Sequence, residues 1–261
     1  RLNPAFSRIG LRRSQFNSFY QGVTFSAENR WRDSFRYQLK YGFSKSIDEA
    51  SNSTFNDFQA SDQVPTTYNY RLNRGPSDFD LTHVFAGSFS YLLPNTANTG
   101  ALGALTNGWG LHGLTQIQSG NPFSPSVGFD RAHLETGFGD TGQRPDLLSG
   151  DSESIILGDP DQYFNPLAFG LPAEGYLGTL GRGALRGPGL YTLNVSIHKS
   201  FHLTDSQRLN FRAEFFNVAN RPNFQIPSSQ ELFTSSGGRV GSAGRITSTS
   251  GGSRQIQLAL R

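Results

Sequence analysis

The stretch FRYQLKYGFSKS, residues 35–46, alternates without a break: Phe35, Tyr37, Leu39, Tyr41 and Phe43 are separated by Arg36, Gln38, Lys40, Gly42 and Ser44. A period of two belongs to a β-strand, whose successive side chains point to opposite faces of a sheet. One face of this strand is apolar and the other is polar and partly charged. A soluble sheet can present such a strand by turning the apolar face to a core. A membrane barrel can do so by turning that face to lipid.

The pattern recurs along the chain. In SFYQGVTFSAE, Phe19, Val23, Phe25 and Ala27 oppose Thr24, Ser26 and Glu28. In DLTHVFAGSFSYLLP, Leu81, Phe85, Phe89, Tyr91 and Leu93 oppose Thr82, Ser88 and Ser90. In LYTLNVSIHKSF, Tyr191, Leu193, Val195 and Ile197 oppose Thr192, Asn194, Ser196 and His198. In RLNFRAEFF, Leu209, Phe211, Ala213 and Phe215 oppose Arg208, Asn210, Arg212 and Glu214. The terminal RQIQLALR sets Ile256, Leu258 and Leu260 against Gln255, Gln257 and Ala259. WGLHGLTQIQSG, from Trp109, is weaker, because Leu114 falls on its polar face.

The connections alternate too. Residues 30–34 and 203–207 read as tight turns, and 94–107 is a medium link rich in Gly, Asn and Thr. Between them run the long links 47–78, 120–189 and 220–253, full of Gly, Pro, Ser and Asp. Long loops without structure of their own are uncommon inside compact soluble domains. Short turns at one end and long loops at the other are the habit of outer-membrane barrels. With the short turns in the periplasm, the strands near 19–29, 35–46, 79–93, 108–118, 190–201, 208–219 and 254–261 run alternately down and up and end in the periplasm. GRITSTS (244–250) then belongs to the last outer loop. Aromatic residues near strand ends (Phe19, Tyr20, Trp31, Tyr41, Phe43, Tyr91, Tyr191, Phe215, Phe216) suit interfacial girdles.

The expected fold is therefore all-β: an antiparallel transmembrane β-barrel segment of about seven long strands, taken from a larger barrel. Residues 1–261 form part of one barrel domain within a longer protein. Phe35, Tyr37, Leu39, Tyr41, Phe43, Leu193, Val195, Ile197, Leu209 and Phe211 are assigned to lipid. Arg36, Gln38, Lys40, Thr192, Asn194, Arg208, Asn210, Arg212 and Glu214 are assigned to the lumen, to meet a plug, pair across the wall or line a substrate path.

Composition narrows the chemistry. No apolar run approaches the roughly 18 residues of a membrane-spanning helix. With no Cys among the 261 residues, disulfide scaffolds, thiolate metal sites and cysteine nucleophiles are excluded. Basic residues are spread along the alternating segments instead of forming the concentrated patch a nucleic-acid surface needs. Residues 47–78 and 120–189 hold 14 acidic residues against 6 basic ones. Asp130, Asp140, Asp146, Asp151, Asp159 and Asp161 are candidates for Ca²⁺, or for divalent bridges to lipopolysaccharide, because hard cations take several oxygen ligands. Asp151, Asp159 and Asp161 lead this set; a solvated flexible loop is the plainer reading.

No catalytic constellation stands out, so no enzymatic activity is expected. GSFSY (87–91) lacks the second Gly of a nucleophile elbow. His198 and His202 lie four residues apart on a strand, roughly 13 Å, too far to share one ion. GTLGRGALRGPG (178–189) follows no buried strand and opens no helix, so it reads as a tight outer-loop turn and not as a phosphate loop.

YQLKYGFSKSIDEAS, RGPSDFDLTHVFAGSFSYLLP, YFNPLAFGLPAEGYLGTLGRGALRGPG and SIHKSFHLTDSQRLNFRAEFFNVANRPNFQIP together resemble the C-terminal barrel of TonB-dependent receptor-like proteins, most specifically over 163–226. The branch resembled carries a carboxypeptidase-regulatory-like domain ahead of its plug. The resemblance implies a barrel of about 22 strands closed by an N-terminal plug. It also implies TonB-driven uptake of a nutrient and insertion by the barrel-assembly machinery. Members of that family finish on an aromatic residue where this chain reads Leu260-Arg261, and many carry Asp where Asn194 stands. Two other readings use the same alternation: a passive porin or adhesin barrel, and a soluble, secreted carbohydrate-binding β-sandwich.

Overall fold

Alternation of β-branched and aromatic residues with polar ones builds one antiparallel sheet in the computed structural model, which describes residues 16–31, 34–51, 69–134, 142–148, 152–202, 204 and 207–261. Its long strands are β1 (Ser18–Trp31), β2 (Phe35–Asp48), β3 (His83–Leu92), β4 (Trp109–Gln118), β5 (Leu190–His202), β6 (Arg208–Phe216) and β7 (Gln255–Leu260). They pair strictly in chain order, and the two-residue strand Gly75–Pro76 adds to the end of β2. The seven expected strands are all present. Their limits shift modestly: β2 runs on to Asp48, β3 starts at His83 instead of 79, and β6 stops at Phe216.

Register keeps like with like. Phe25, Tyr41, Phe85, Ile117 and Tyr191 share one row across five strands, and Ser26, Lys40, Ala86, Gln116 and Thr192 share the next. A slip of one residue would exchange the faces, so the pattern pins the pairing. Gly113 lies beneath the Phe89 ring, whose edge would meet an added Cβ at 2.1 Å, so the aromatic fills the space the glycine leaves.

Long connections gather at one end of the sheet and short ones at the other, as the sequence predicts. The medium link at the short end contains helix α1 (Gly100–Thr106). No described helix is long and apolar enough to cross a membrane.

Among the described residues the apolar face of the sheet carries no second layer. Val23, Phe25, Phe43, Ile117, Leu258 and Leu260 are all exposed. A sandwich would bury them, so the sandwich reading falls. The buried core lies instead in the long connections. Phe123, Ile155, Phe164, Phe169, Leu180 and Leu185 pack with Leu232, Phe233, Ala243 and Ile246 into one cluster. Phe164 and Phe169 meet edge to face with centroids 5.9 Å apart. Each fully buried side chain of this size contributes about 1.5–3 kcal/mol.

The plainer reading of the acidic link 120–189 as a solvated flexible loop is thereby corrected for its described residues, and 220–253 folds with it. Short hairpin pieces tie them together: Phe123 pairs with Leu185, Leu147 with Phe169, and Ile156 with Phe164. Tyr163 N–H donates to Gly244 and Ile246 N–H to Pro160, at 2.9 and 2.8 Å. The sequence disguises this core, because its apolar residues are scattered among Gly and Pro with no period. Together the two segments form a folded cap at the long-loop end.

Candidate functional site

Two arginines fasten the cap to the sheet. Both come from GRGALRGPG, which turns at Arg182–Gly183, as its glycines suggest, and runs on as an extended latch through Leu185–Arg186. Arg182, 8% exposed, pairs with the Asp48 carboxylate, itself 4% exposed at the end of β2. Its guanidinium also donates to the carbonyls of Asn73 (2.8 Å), Asp48 (2.7 Å) and Gly75 (3.2 Å) and to the Ser51 hydroxyl (2.9 Å). Arg186 pairs with the buried Asp80 and donates to the carbonyls of Asp80 and Gly120. Asp80 in turn accepts from Ser46 N–H at 2.5 Å. Gly75 allows the close approach, since a Cβ there would lie 2.4 Å from the Arg182 carbonyl.

Arg144 extends this network, donating to the carbonyls of Leu180 and Leu72 (both 2.8 Å) and to Asn73 Oδ1 (3.1 Å). Burial, and then the neighbouring Arg182, hold its pKa below the usual guanidinium range. Burial likewise pushes the Tyr163 phenol up to about 12. That hydroxyl donates to the Arg186 carbonyl at 3.0 Å.

Under the latch lies a cavity of ≈ 630 Å³ between the cap and the outer ends of the strands. Gln118, Ser119, Asn121, Ser126, Phe224, Gln225, Ile226 and Gln230 line it together with Arg144, Arg182 and Asp78. This volume falls within the range of about 300–1,000 Å³ of small-ligand sites.

The polar face of the sheet forms a second, shallower hollow of ≈ 420 Å³. Gln38, Lys40, Thr192 and Asn194, four of the residues assigned to the lumen, meet there with Ser88, Leu114 and Gln116. Leu114, the residue that broke the alternation of β4, is 60% exposed on this face. Asn194 also accepts from Asn217 N–H at 2.9 Å, which closes the end of β6. The remaining assigned residues lie elsewhere on the same face. Arg36 is paired with Ser90. Arg212 faces Glu214 at 3.7 Å, Asn210 accepts from the Ser200 hydroxyl, and Arg208 opens β6.

His198 stacks on His112 of the adjacent strand, Nδ1 to Nε2 at 3.0 Å and ring centroids 4.7 Å apart. Opposite, on the apolar face, Lys199 is 1% exposed. It donates to the Asn107 carbonyl and lies over the rings of Trp109 and Phe201 at 5.3 and 4.7 Å.

Of the acidic candidates, Asp140 and Asp151 lie outside the described residues. Asp159 accepts from Asp161 N–H at 2.9 Å in the turn of a hairpin. Asp130 accepts from Leu134 N–H and from Gln143, and Asp146 accepts from Thr179 N–H. Among the described residues no three His, Asp or Glu side chains gather as a metal site.

The latch and the amides of the cavity are what sequence reasoning missed. Two arginines in an otherwise acidic stretch, each flanked by Gly or Leu, were the available signal for the latch. The amides had none, because they come from two distant segments, 118–121 and 225–230.

No curated protein and no solved structure matches the chain. A family model described as an outer membrane beta barrel domain matches residues 1–257. With an unbroken antiparallel meander, an uncovered apolar face and a folded cap at one end, the chain belongs to this outer-membrane β-barrel family and to the outer membrane of a Gram-negative bacterium.

Proposed function

We propose that the chain is the barrel wall and outer cap of a TonB-dependent receptor, working with a plug and a carboxypeptidase-regulatory-like domain elsewhere in the protein. It takes up a nutrient by binding and translocation, without covalent chemistry. The apolar face, including Phe35, Tyr37, Leu39, Leu193, Val195, Ile197, Leu209 and Phe211, meets lipid. The polar face meets the plug. Lipopolysaccharide surrounds the outer rim, where the acidic Asp159–Asp161 turn is a candidate contact through Ca²⁺.

One observation carries this reading. The outer connections are folded around their own hydrophobic core and line an open, ligand-sized pocket. A passive porin gains nothing from closing its mouth with an ordered, latched cap, whereas a receptor needs a preformed site to select its cargo before the energised step.

The test uses the full-length protein. In planar bilayers it should conduct little until urea loosens the plug, and the periplasmic domain of TonB should retain it from detergent. A steady open conductance with no TonB retention would replace this reading with the porin or adhesin alternative.

A further inference from the structure

The cavity beneath the cap has its charges already spent. Arg144 donates to two carbonyls and an amide oxygen, and Arg182 is paired with Asp48 and saturated by carbonyls. The Asp78 carboxylate lies 3.7 Å from Arg182. An anionic ligand entering here would have to break a buried ion pair to find a cation, a loss of several kcal/mol per charge uncovered.

What the cavity offers freely is neutral and two-sided. Gln118 Oε1 accepts from Gln116 at 2.9 Å, and Gln225 Oε1 accepts from the Ser248 hydroxyl at 3.0 Å. Asn121 Nδ2 donates to the Asp78 carbonyl at 2.9 Å, and Gln230 Nε2 donates to the Pro227 carbonyl at 3.1 Å. Each amide is thus oriented by one end. The other end has no hydrogen-bond partner within the protein among the described residues. Two amide donors (Gln118, Gln225) and two amide acceptors (Asn121, Gln230) therefore stand ready around one space, with the ring of Phe224 beside them.

Resting on the receptor reading above, we propose that this cavity binds a short neutral oligosaccharide. A sugar hydroxyl both donates and accepts, so a ring of hydroxyls is satisfied by amide donors and acceptors set side by side. An aromatic ring suits the apolar C–H face of a pyranose. A ferric chelate or an acidic glycan brings negative charge for which the lining holds no free cation among the described residues. Preoriented amides also give discrimination, because a polar group left unmatched by the wrong ligand lowers affinity by about tenfold or more.

The test is equilibrium binding to the full-length protein in detergent. The probes are maltotriose, cellotriose, mannotriose and xylotriose, against trigalacturonate, a ferric catecholate and cyanocobalamin. At least one neutral trisaccharide should bind saturably and the charged probes should not. Gln118→Glu and Gln225→Glu keep the oxygen that the protein uses and turn each free donor into an acceptor. Each should weaken that binding by about tenfold or more, while Leu102→Ala, on the exposed face of α1 at the opposite end of the sheet, leaves it unchanged. Heat-modifiable migration in gels confirms that each variant is a folded barrel. Binding of only the charged probes, binding of none, or neutral-sugar binding untouched by both glutamate variants would overturn the assignment. TonB retention and bilayer conductance need no ligand. Their failure with sugar binding intact would therefore remove the uptake mechanism and leave the sugar site standing.

Discussion

Replacing Arg182 with Ala should open the cap without dissolving the wall. In the native protein its guanidinium serves Asp48 and the carbonyls of Asn73, Asp48 and Gly75. Removing it leaves the Asp48 carboxylate, 4% exposed, with the Ser51 hydroxyl at 2.7–2.9 Å. Stripping one partner from a buried pair costs about 3–5 kcal/mol, most of it the uncompensated charge left behind. The wall is held by its own ladders, including fourteen residue pairs between β1 and β2, so the loss falls on the attachment of the cap.

At 1.4 kcal/mol per decade, the cap should visit its open state roughly a hundred- to several thousand-fold more often. Hydrogen exchange read by mass spectrometry should show this at Tyr163 and Ile246, whose amides bond across the two cap segments, while amides of β2 keep their protection. Arg182→Met with Asp48→Leu together should recover most of the protection, since an apolar pair of similar volume removes the stranded charge. Arg182→Lys should fall between, keeping the charge and losing the planar fork. Unchanged exchange in the alanine variant would refute the latch. A double variant no better than the single one would refute the charge as its cause.

The two faces of β2 should respond oppositely to charge. Leu39→Arg, at mid-strand on the apolar face, should cost about 2–4 kcal/mol and block assembly into the membrane, whereas Gln38→Arg should be tolerated; membrane-fraction yield in cells reads the difference, and equal tolerance would sink the orientation. The cap should also be alkali-sensitive. Tyr163 is pushed from about 10 to about 12 by burial, so the folded state holds its proton more tightly. That stabilisation is complete below pH 10 and disappears as pH rises through 12, a loss of the order of 2–3 kcal/mol. Tyr163→Phe should flatten this part of the pH profile of cap exchange, and an unaltered slope would count against the buried phenol as its source.

The sequence alone determined the wall. A period of two repeated seven times, with connections alternately short and long, admits one economical topology, and the structure reproduces it strand by strand. The reason is local: side-chain direction in a strand follows residue parity, so Phe35 and Arg36 are assigned to opposite faces before any tertiary contact is known. Even the exception was legible, for Leu114 breaks the pattern in the sequence and sits on the polar face in the fold. The cap was beyond such reasoning. Phe164, Leu185 and Leu232 become a core only because segments distant in the chain are brought together, as are Asp48 and Arg182 of the latch, 134 residues apart. Nothing periodic marks them, since short irregular pieces bury whichever side chains their turns happen to aim inward. The partners of Arg182 and the open amides around the cavity are likewise decided by tertiary contact, because which charges are spent and which polar groups stay open depends on neighbours that residue order does not name.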